Sequence, residues 1–274
     1  MSPSCQWTIG RDDSARAREC AERCTMGLFP AHEDRMDLVR GFPPTRHSAL
    51  VSVRSADATE RARGLATLSS VYWRPVYSYL RFRWRRPHED AADLAQEFFT
   101  ELVENDLLSR FDPSRARLRT YLRVCIDGLV SNHDKAAGRQ KRGGGVEPVP
   151  FDFEDAREEL ERVADTVQSP ESLFEKQWAR GVFATALRRL RDACAQAGKA
   201  GHYALLEQYD LDDARPTYAE LAQRFGIAVT DVTNRLFRVR RELRHVVLEV
   251  LRELTASEEE FLEEARALLG EDAA

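Results

Sequence analysis

From Thr59 onward the apolar residues recur at three- and four-residue intervals, and no stretch keeps the period-two alternation of a strand for more than a few residues. That recurrence lays apolar side chains along one face of a helix each time it appears. The expected fold class is therefore all-α. The first run is Leu65, Leu68, Val71, Tyr72, Val76, Tyr79 and Leu80. Pro75 falls inside it and predicts either a break or the first turn of a second helix. After Pro87-His88-Glu89-Asp90, a helix is expected over residues 90–108, with Leu94, Phe98, Phe99, Leu102 and Val103 on one face and Asp93, Gln96, Glu97, Glu101 and Glu104 on the other. The turn Phe111-Asp112-Pro113 leads into a third helix over 115–138, with Leu118, Tyr121, Leu122, Cys125, Ile126, Leu129 and Val130 inward. Residues 146–172 are acidic and broken by Pro148, Pro150 and Pro170, which reads as a flexible linker holding one short helix near 156–163. Helical periodicity returns over 173–197.

Composition narrows the function. The chain has 274 residues, a net charge of −5 and 43% apolar residues, an ordinary balance for a soluble globular protein. No stretch approaches the roughly 18 apolar residues of a membrane span, and residues 1–10 lack the pattern of a secretory signal. Five scattered cysteines (Cys5, Cys20, Cys24, Cys125, Cys194) argue against a disulfide framework and for a cytoplasmic location. The net charge conceals bands: residues 61–142 carry +6, 143–177 carry −7, 178–199 carry +4, 216–252 carry +3 and 253–274 carry −7. Local basic patches of this kind, more than net charge, decide whether a chain binds nucleic acid. Residues 1–40 show no sustained period and are expected to be a disordered or non-native extension. Cys20 and Cys24 there are spaced C-x₃-C, with His32 nearby and no second pair, so no metal or other cofactor is expected. No phosphate loop, dinucleotide fingerprint or nucleophile elbow occurs, and an enzyme is not expected.

The strongest local pattern runs from Thr217 to Leu251. Thr217-Tyr218-Ala219-Glu220 is a capping box, Leu221, Ala222 and Phe225 form an apolar face, and Gly226 supplies a left-handed turn residue. A second helix follows from Ala228 or Thr230, with Val232, Leu236, Val239 and Leu243 inward. Helix, glycine turn and helix make a helix-turn-helix. In that motif the second helix enters the major groove. Asp231, Thr233, Asn234, Arg235 and Arg238 would then meet base edges, with Arg240, Arg241 and Arg244 placed for phosphates.

Taken together, the segments Phe42–Ser48 (FPPTRHS), Tyr72–Arg81 (YWRPVYSYLR), Glu89–Phe99 (EDAADLAQEFF), Phe111–Leu122 (FDPSRARLRTYL) and Gln140–Gly145 (QKRGGG) resemble the extracytoplasmic-function (ECF) class of bacterial RNA polymerase sigma factors, within the sigma-70-like family. The likeness covers residues 41–250. It implies a core-polymerase- and −10-binding helical domain over 41–145, the acidic linker over 146–172, and a −35-binding helix-turn-helix domain over 173–252. Asp90, Asp93, Gln96 and Glu97 would bind the beta-prime subunit of core polymerase. Asn132, His133, Lys135, Arg139, Lys141 and Arg142 would bind and melt the −10 element. The linker acids Asp152, Glu154, Asp155, Glu158 and Glu159 would either lie in the RNA channel, mimicking RNA charge, or serve only as a soluble tether. The chain departs from the family at Ala92, where many members carry a carboxylate, at Asp127-Gly128 inside the melting helix, and in the length of residues 198–215.

The resemblance leaves residues 253–274 and Thr100 to be placed. Ser257-Glu258-Glu259-Glu260 opens an acidic C-terminal helix with an apolar stripe of Phe261, Leu262, Ala265, Leu268 and Leu269. It is expected either to pack on the second domain or to fold over Arg235–Arg244 and compete with DNA. Phosphorylation of Thr100 would restore negative charge near the core-binding face. An anti-sigma factor or a kinase is the controlling partner to look for, and no membrane is involved. The rival reading is a stand-alone helix-turn-helix regulator that binds duplex DNA without core polymerase.

Overall fold

A computed structural model describes residues 49–53, 55, 57–104, 107–136, 151–163, 169–212, 214 and 216–270. The fold is all-α, with no strand among the described residues. The elements are α1 (Ala49–Val53), α2 (Ala58–Phe82), α3 (His88–Glu104), a 3₁₀ turn (Leu107–Arg110), α4 (Leu118–Ala136), α5 (Phe153–Val163), α6 (Pro170–Gln196), α7 (Ala200–Leu206) running into a π turn (Glu207–Leu211), α8 (Tyr218–Phe225), α9 (Val229–Leu254) and α10 (Glu258–Leu269).

Several helix starts have a local cause. Asp57 accepts from the Thr59 and Glu60 amides at the head of α2, and Ser169 and Ser172 form a capping box before Pro170 at the head of α6. Such caps satisfy donors that the first helical turn leaves open. The expected capping box at Thr217 is present in both directions. At Ser257 only half of it forms: the hydroxyl accepts from the Glu260 amide, while the Glu260 carboxylate accepts from the Ala256 amide.

Pro75 neither breaks α2 nor starts a new helix, because α2 runs unbroken from Ala58 to Phe82. A proline has no N–H for the carbonyl four residues back, here that of Val71. On that side α6 passes close: a Cβ built on Gly181 would lie 3.0 Å from the Val71 carbonyl carbon and Cα, and closer to its oxygen. Glycine at 181 is what lets the two backbones meet.

The main core draws on helices from both sides of the acidic segment. Leu68, Val71, Tyr72 and Leu80 of α2, Phe98 of α3 and Ile126 of α4 share it with Phe174, Val182 and Phe183 of α6 and Val247 and Leu251 of α9. Phe174 stands edge-on to Tyr79, with ring centroids 5.9 Å apart. A polar seam crosses three helices, where Arg189 of α6 forks onto Glu253 of α9 at 2.7 and 2.8 Å and Thr67 of α2 donates to the same carboxylate at 3.1 Å. A smaller core of Leu205, Leu221, Ala222, Val232 and Leu236 holds α7, α8 and the first half of α9 together. Residues 200–211 supply α7 and its π turn, which pack on that second core.

The acidic segment, described over residues 151–163 and 169–172, forms the expected short helix. Its helix begins at Phe153, three residues earlier than expected, and two of its carboxylates face inward. Glu159, 1% exposed, accepts from Arg74 and Gln177 at 3.0 Å each and from Arg180. Asp155 pairs with Arg74. Phe151, just ahead of α5, stacks on Trp73 at 5.3 Å and leans on Phe99 of α3 at 5.5 Å.

Candidate nucleic-acid interface

Three surfaces carry the residues singled out from the sequence. The first is α3. Asp90, Asp93 and Glu97 are exposed along it, and Gln96 and Thr100 are half-buried. Among the described residues no ion pair reaches Asp90, Asp93 or Glu97. Glu101 sits one turn further on, and its carboxyl is pushed above the usual range by partial burial and then by the neighbouring Glu97 and Glu104 charges. A row of like charges without internal cations gains free energy when a basic surface meets it.

The second surface is the C-terminal half of α4. Asn132 and Lys135 are exposed and His133 is half-buried, while Arg139, Lys141 and Arg142 lie outside the described residues. Asp127, which looked out of place in this helix, is a structural acceptor: Trp84 donates its indole N–H to it at 2.8 Å and Tyr79 its hydroxyl at 3.4 Å. Gly128 has no such reason, for a Cβ there would meet nothing within 4 Å. Tyr121 is half-buried against Phe111 and donates its hydroxyl to the Leu107 carbonyl at 2.5 Å.

The third surface is the pair α8–α9. Gly226 between them takes the left-handed conformation, at φ 63°, as a helix C-terminus that turns sharply requires. Asp231, Thr233, Asn234, Arg238 and Arg241 are exposed on α9, and Arg235 and Arg244 are half-buried. Arg240 is turned inward. It forks onto Asp210 of the π turn at 2.9 and 2.7 Å and lies over the Tyr209 ring at 5.3 Å. Its position beside Val239, on the flank of the apolar stripe, is the sequence signal for that inward role. His202 stands near the same surface; burial lowers its pKa first, followed by the charges of Arg235, Lys199 and Arg238.

Sequence reasoning also passed over the ion pairs that organise these surfaces. Of the five linker acids, Asp152, Glu154 and Glu158 are exposed, whereas Asp155 and Glu159 close on Arg74 and Arg180. The C-terminal helix α10 does not place its acids on Arg235–Arg244. Glu264, 2% exposed, accepts from Arg117 at 2.9 Å and pairs with Arg119 at 2.7 Å, and Glu263 pairs with Arg117. Phe261, Ala265, Leu268 and Leu269 fill the main core beside it.

Residues 70–140 match the family model for sigma-70 region 2. The match covers 71 of the chain's 274 residues. That region takes in the C-terminal half of α2 and all of α3 and α4, so the acidic row and the α4 surface both belong to it. Region 2 supports a sigma factor of the sigma-70 family and implies binding to the RNA polymerase core and to promoter DNA. Members of that family are transcription factors rather than enzymes. No curated protein and no solved structure matches the chain. Among the described residues no helix is long and apolar enough to cross a membrane.

Proposed function

We propose that the chain is an ECF-class sigma factor that works in the cytoplasm, brings core RNA polymerase to particular promoters and helps to open them. The observation that carries this reading is the coexistence, in one chain, of the region 2 match with a second unit, α7–α9, that has its own small core and an arginine-rich face on α9. Asp90, Asp93, Gln96 and Glu97 meet a basic surface of the beta-prime subunit through charge-assisted bonds. Asn132, His133 and Lys135, with Arg139, Lys141 and Arg142 beyond them, hold the −10 strand, where cations serve the backbone and planar groups the bases. The α8–α9 pair acts as a helix-turn-helix on the −35 element. Asp231, Thr233, Asn234, Arg235 and Arg238 face base edges there, and Arg241 and Arg244 face phosphates. Arg240 serves this surface indirectly, by fixing α9 to the π turn.

Gel filtration of the purified chain with bacterial core polymerase, followed by transcription from genomic fragments, tests the reading. Co-elution with promoter-specific transcripts supports it. Tight duplex binding by the chain alone, without co-elution, assigns it instead to a stand-alone helix-turn-helix regulator.

A further inference from the structure

The connection from α2 to α3 reads Arg83-Trp84-Arg85-Arg86-Pro87. It folds back over the end of α2, where the Arg83 amide donates to the Tyr79 carbonyl at 2.8 Å and the Arg86 amide to the Leu80 carbonyl at 3.2 Å. The fold-back puts Arg85 at φ 51°, and it is the one non-glycine residue with positive φ among the described residues. Glycine takes that conformation freely and a residue with a Cβ does not. An arginine kept in such a place is a reason to ask what its side chain does.

The connection is sewn to α4 at two points. Trp84 donates to Asp127 at 2.8 Å, and Arg86 pairs with Asp134, two turns further along the same helix. The Asp134 carboxylate neutralises Arg86, while Arg83 and Arg85 stay exposed, Arg83 within reach of the Tyr79 hydroxyl. No ion pair reaches either one among the described residues. Arg83 lies 5.9 Å from the Trp84 ring, on a residue itself fixed to α4. Two outward arginines are thus held beside the helix that carries the exposed Asn132 and Lys135.

We propose that Arg83 and Arg85 form a phosphate-binding site for the DNA backbone that runs past the C-terminal half of α4. The site rests on the sigma-factor reading and adds to the −10 surface two residues outside α4. A guanidinium forks onto phosphate oxygens in a way the rest of the loop cannot. Phosphate binding of this kind raises affinity and fixes register without reading sequence.

The test uses the full chain bound to core polymerase, with a promoter fragment recovered from the transcription assay as probe. Replacing both arginines (Arg83→Ala with Arg85→Ala) leaves co-elution with core unchanged. It weakens binding of the fragment by about tenfold and makes the plot of log affinity against log salt shallower by about 0.7–0.9 for each phosphate no longer neutralised. A second variant, Arg85→Gly, separates charge from backbone. It keeps the left-handed conformation, raises the melting temperature of the chain, and still loses affinity and salt slope. Unchanged affinity and slope in the double variant overturn the site, and so does full affinity in Arg85→Gly. Loss of co-elution by the double variant also overturns it, by giving the arginines to polymerase rather than DNA. Failure of the unaltered chain to co-elute counts against the sigma-factor reading itself, a result distinct from all of these.

Discussion

Gly181 of α6 rests on the Val71 carbonyl of α2, the carbonyl that Pro75 cannot serve with an N–H of its own. The two departures from helix-forming sequence, 106 positions apart, are one feature: proline frees an acceptor, and glycine allows a second backbone to cover it. Replacing Gly181 with alanine places a Cβ against backbone atoms at 3.0 Å or less, and backbone cannot swing aside as a side chain can. Gly181→Ala is expected to destabilise the chain by about 1–3 kcal/mol, in the range of overpacked cores. Thermal melts followed by circular dichroism check it, and a melting temperature equal to that of the unaltered chain refutes it.

Glu159 joins the acidic helix α5 to both α2 and α6 through Arg74, Gln177 and Arg180. With 1% exposure it has little water to fall back on, and neither do its partners once it is gone. Removing one member of a buried charge cluster strands the others, at a cost of about 3–5 kcal/mol. Glu159→Ala should therefore release α5, seen as faster proteolysis between residues 150 and 170 and a lower denaturation midpoint. The exposed Glu158 provides the control, since Glu158→Ala is expected to change stability by no more than about 0.5 kcal/mol.

These pairs explain which parts of the molecule the sequence could and could not disclose. The helices were legible because each amphipathic face is a local record: the spacing of Leu94, Phe98 and Phe99 tells which side of α3 is buried, whatever covers it. The cover itself was not legible. Asp155, Glu159 and Glu264 look in sequence like the solvated acids beside them, and only the arrival of Arg74, Arg180 and Arg119 from distant helices makes them interior groups. Pro75 misled for the same reason. The rule that proline ends a helix counts the hydrogen bonds of that helix alone, whereas α2 is held by its packing on α6 in the main core. At the candidate site, the exposed face of α9 was readable from periodicity, whereas the inward turn of Arg240 depends on Asp210 in a π turn that no pattern announced.

Gly128 offers a substitution in the opposite direction. It lies exposed in the interior of α4, and a Cβ there meets nothing within 4 Å. Alanine restricts the unfolded chain and favours the helix, so Gly128→Ala should stabilise by about 0.5–1 kcal/mol. Chemical denaturation measures the change. A destabilised variant would mean that the helix is not formed at this position in solution.

Acid should loosen the α8–α9 unit at its cap. The Glu220 carboxyl titrates below the usual carboxylate range, first because it accepts from the Thr217 amide and then because it accepts from the Thr217 hydroxyl. A carboxyl with a folded pKa below its unfolded one favours the folded state above the unfolded pKa. That contribution is lost as pH falls through the folded pKa. Protection of the Thr217 amide, its exchange relative to an unstructured amide at the same pH, should accordingly fall as the solution is taken below the usual carboxylate range. In Glu220→Gln the protection should already be low at neutral pH and should lose this pH dependence. A pH profile identical in the two proteins would contradict the capping role.

The C-terminal helix gives the last prediction. α10 buries Phe261, Ala265, Leu268 and Leu269 in the main core and sets Glu264 between Arg117, which precedes α4, and Arg119 in its first turn. Arg119 is also held by Glu175 of α6 at 2.5 Å and lies 4.4 Å over the Trp178 ring, so one guanidinium ties α4, α6 and α10 together. Cutting the chain before Ser257 takes away the Glu263 and Glu264 partners and uncovers apolar surface, and the region 2 end of the molecule should suffer most. The truncated chain is expected to melt at lower temperature and to exchange amides faster around 117–122. Binding of isolated duplex DNA should stay as it was, because Glu263 and Glu264 of the tail pair with Arg117 and Arg119. A gain in duplex affinity on truncation would show that α10 reaches the exposed face of α9 as well.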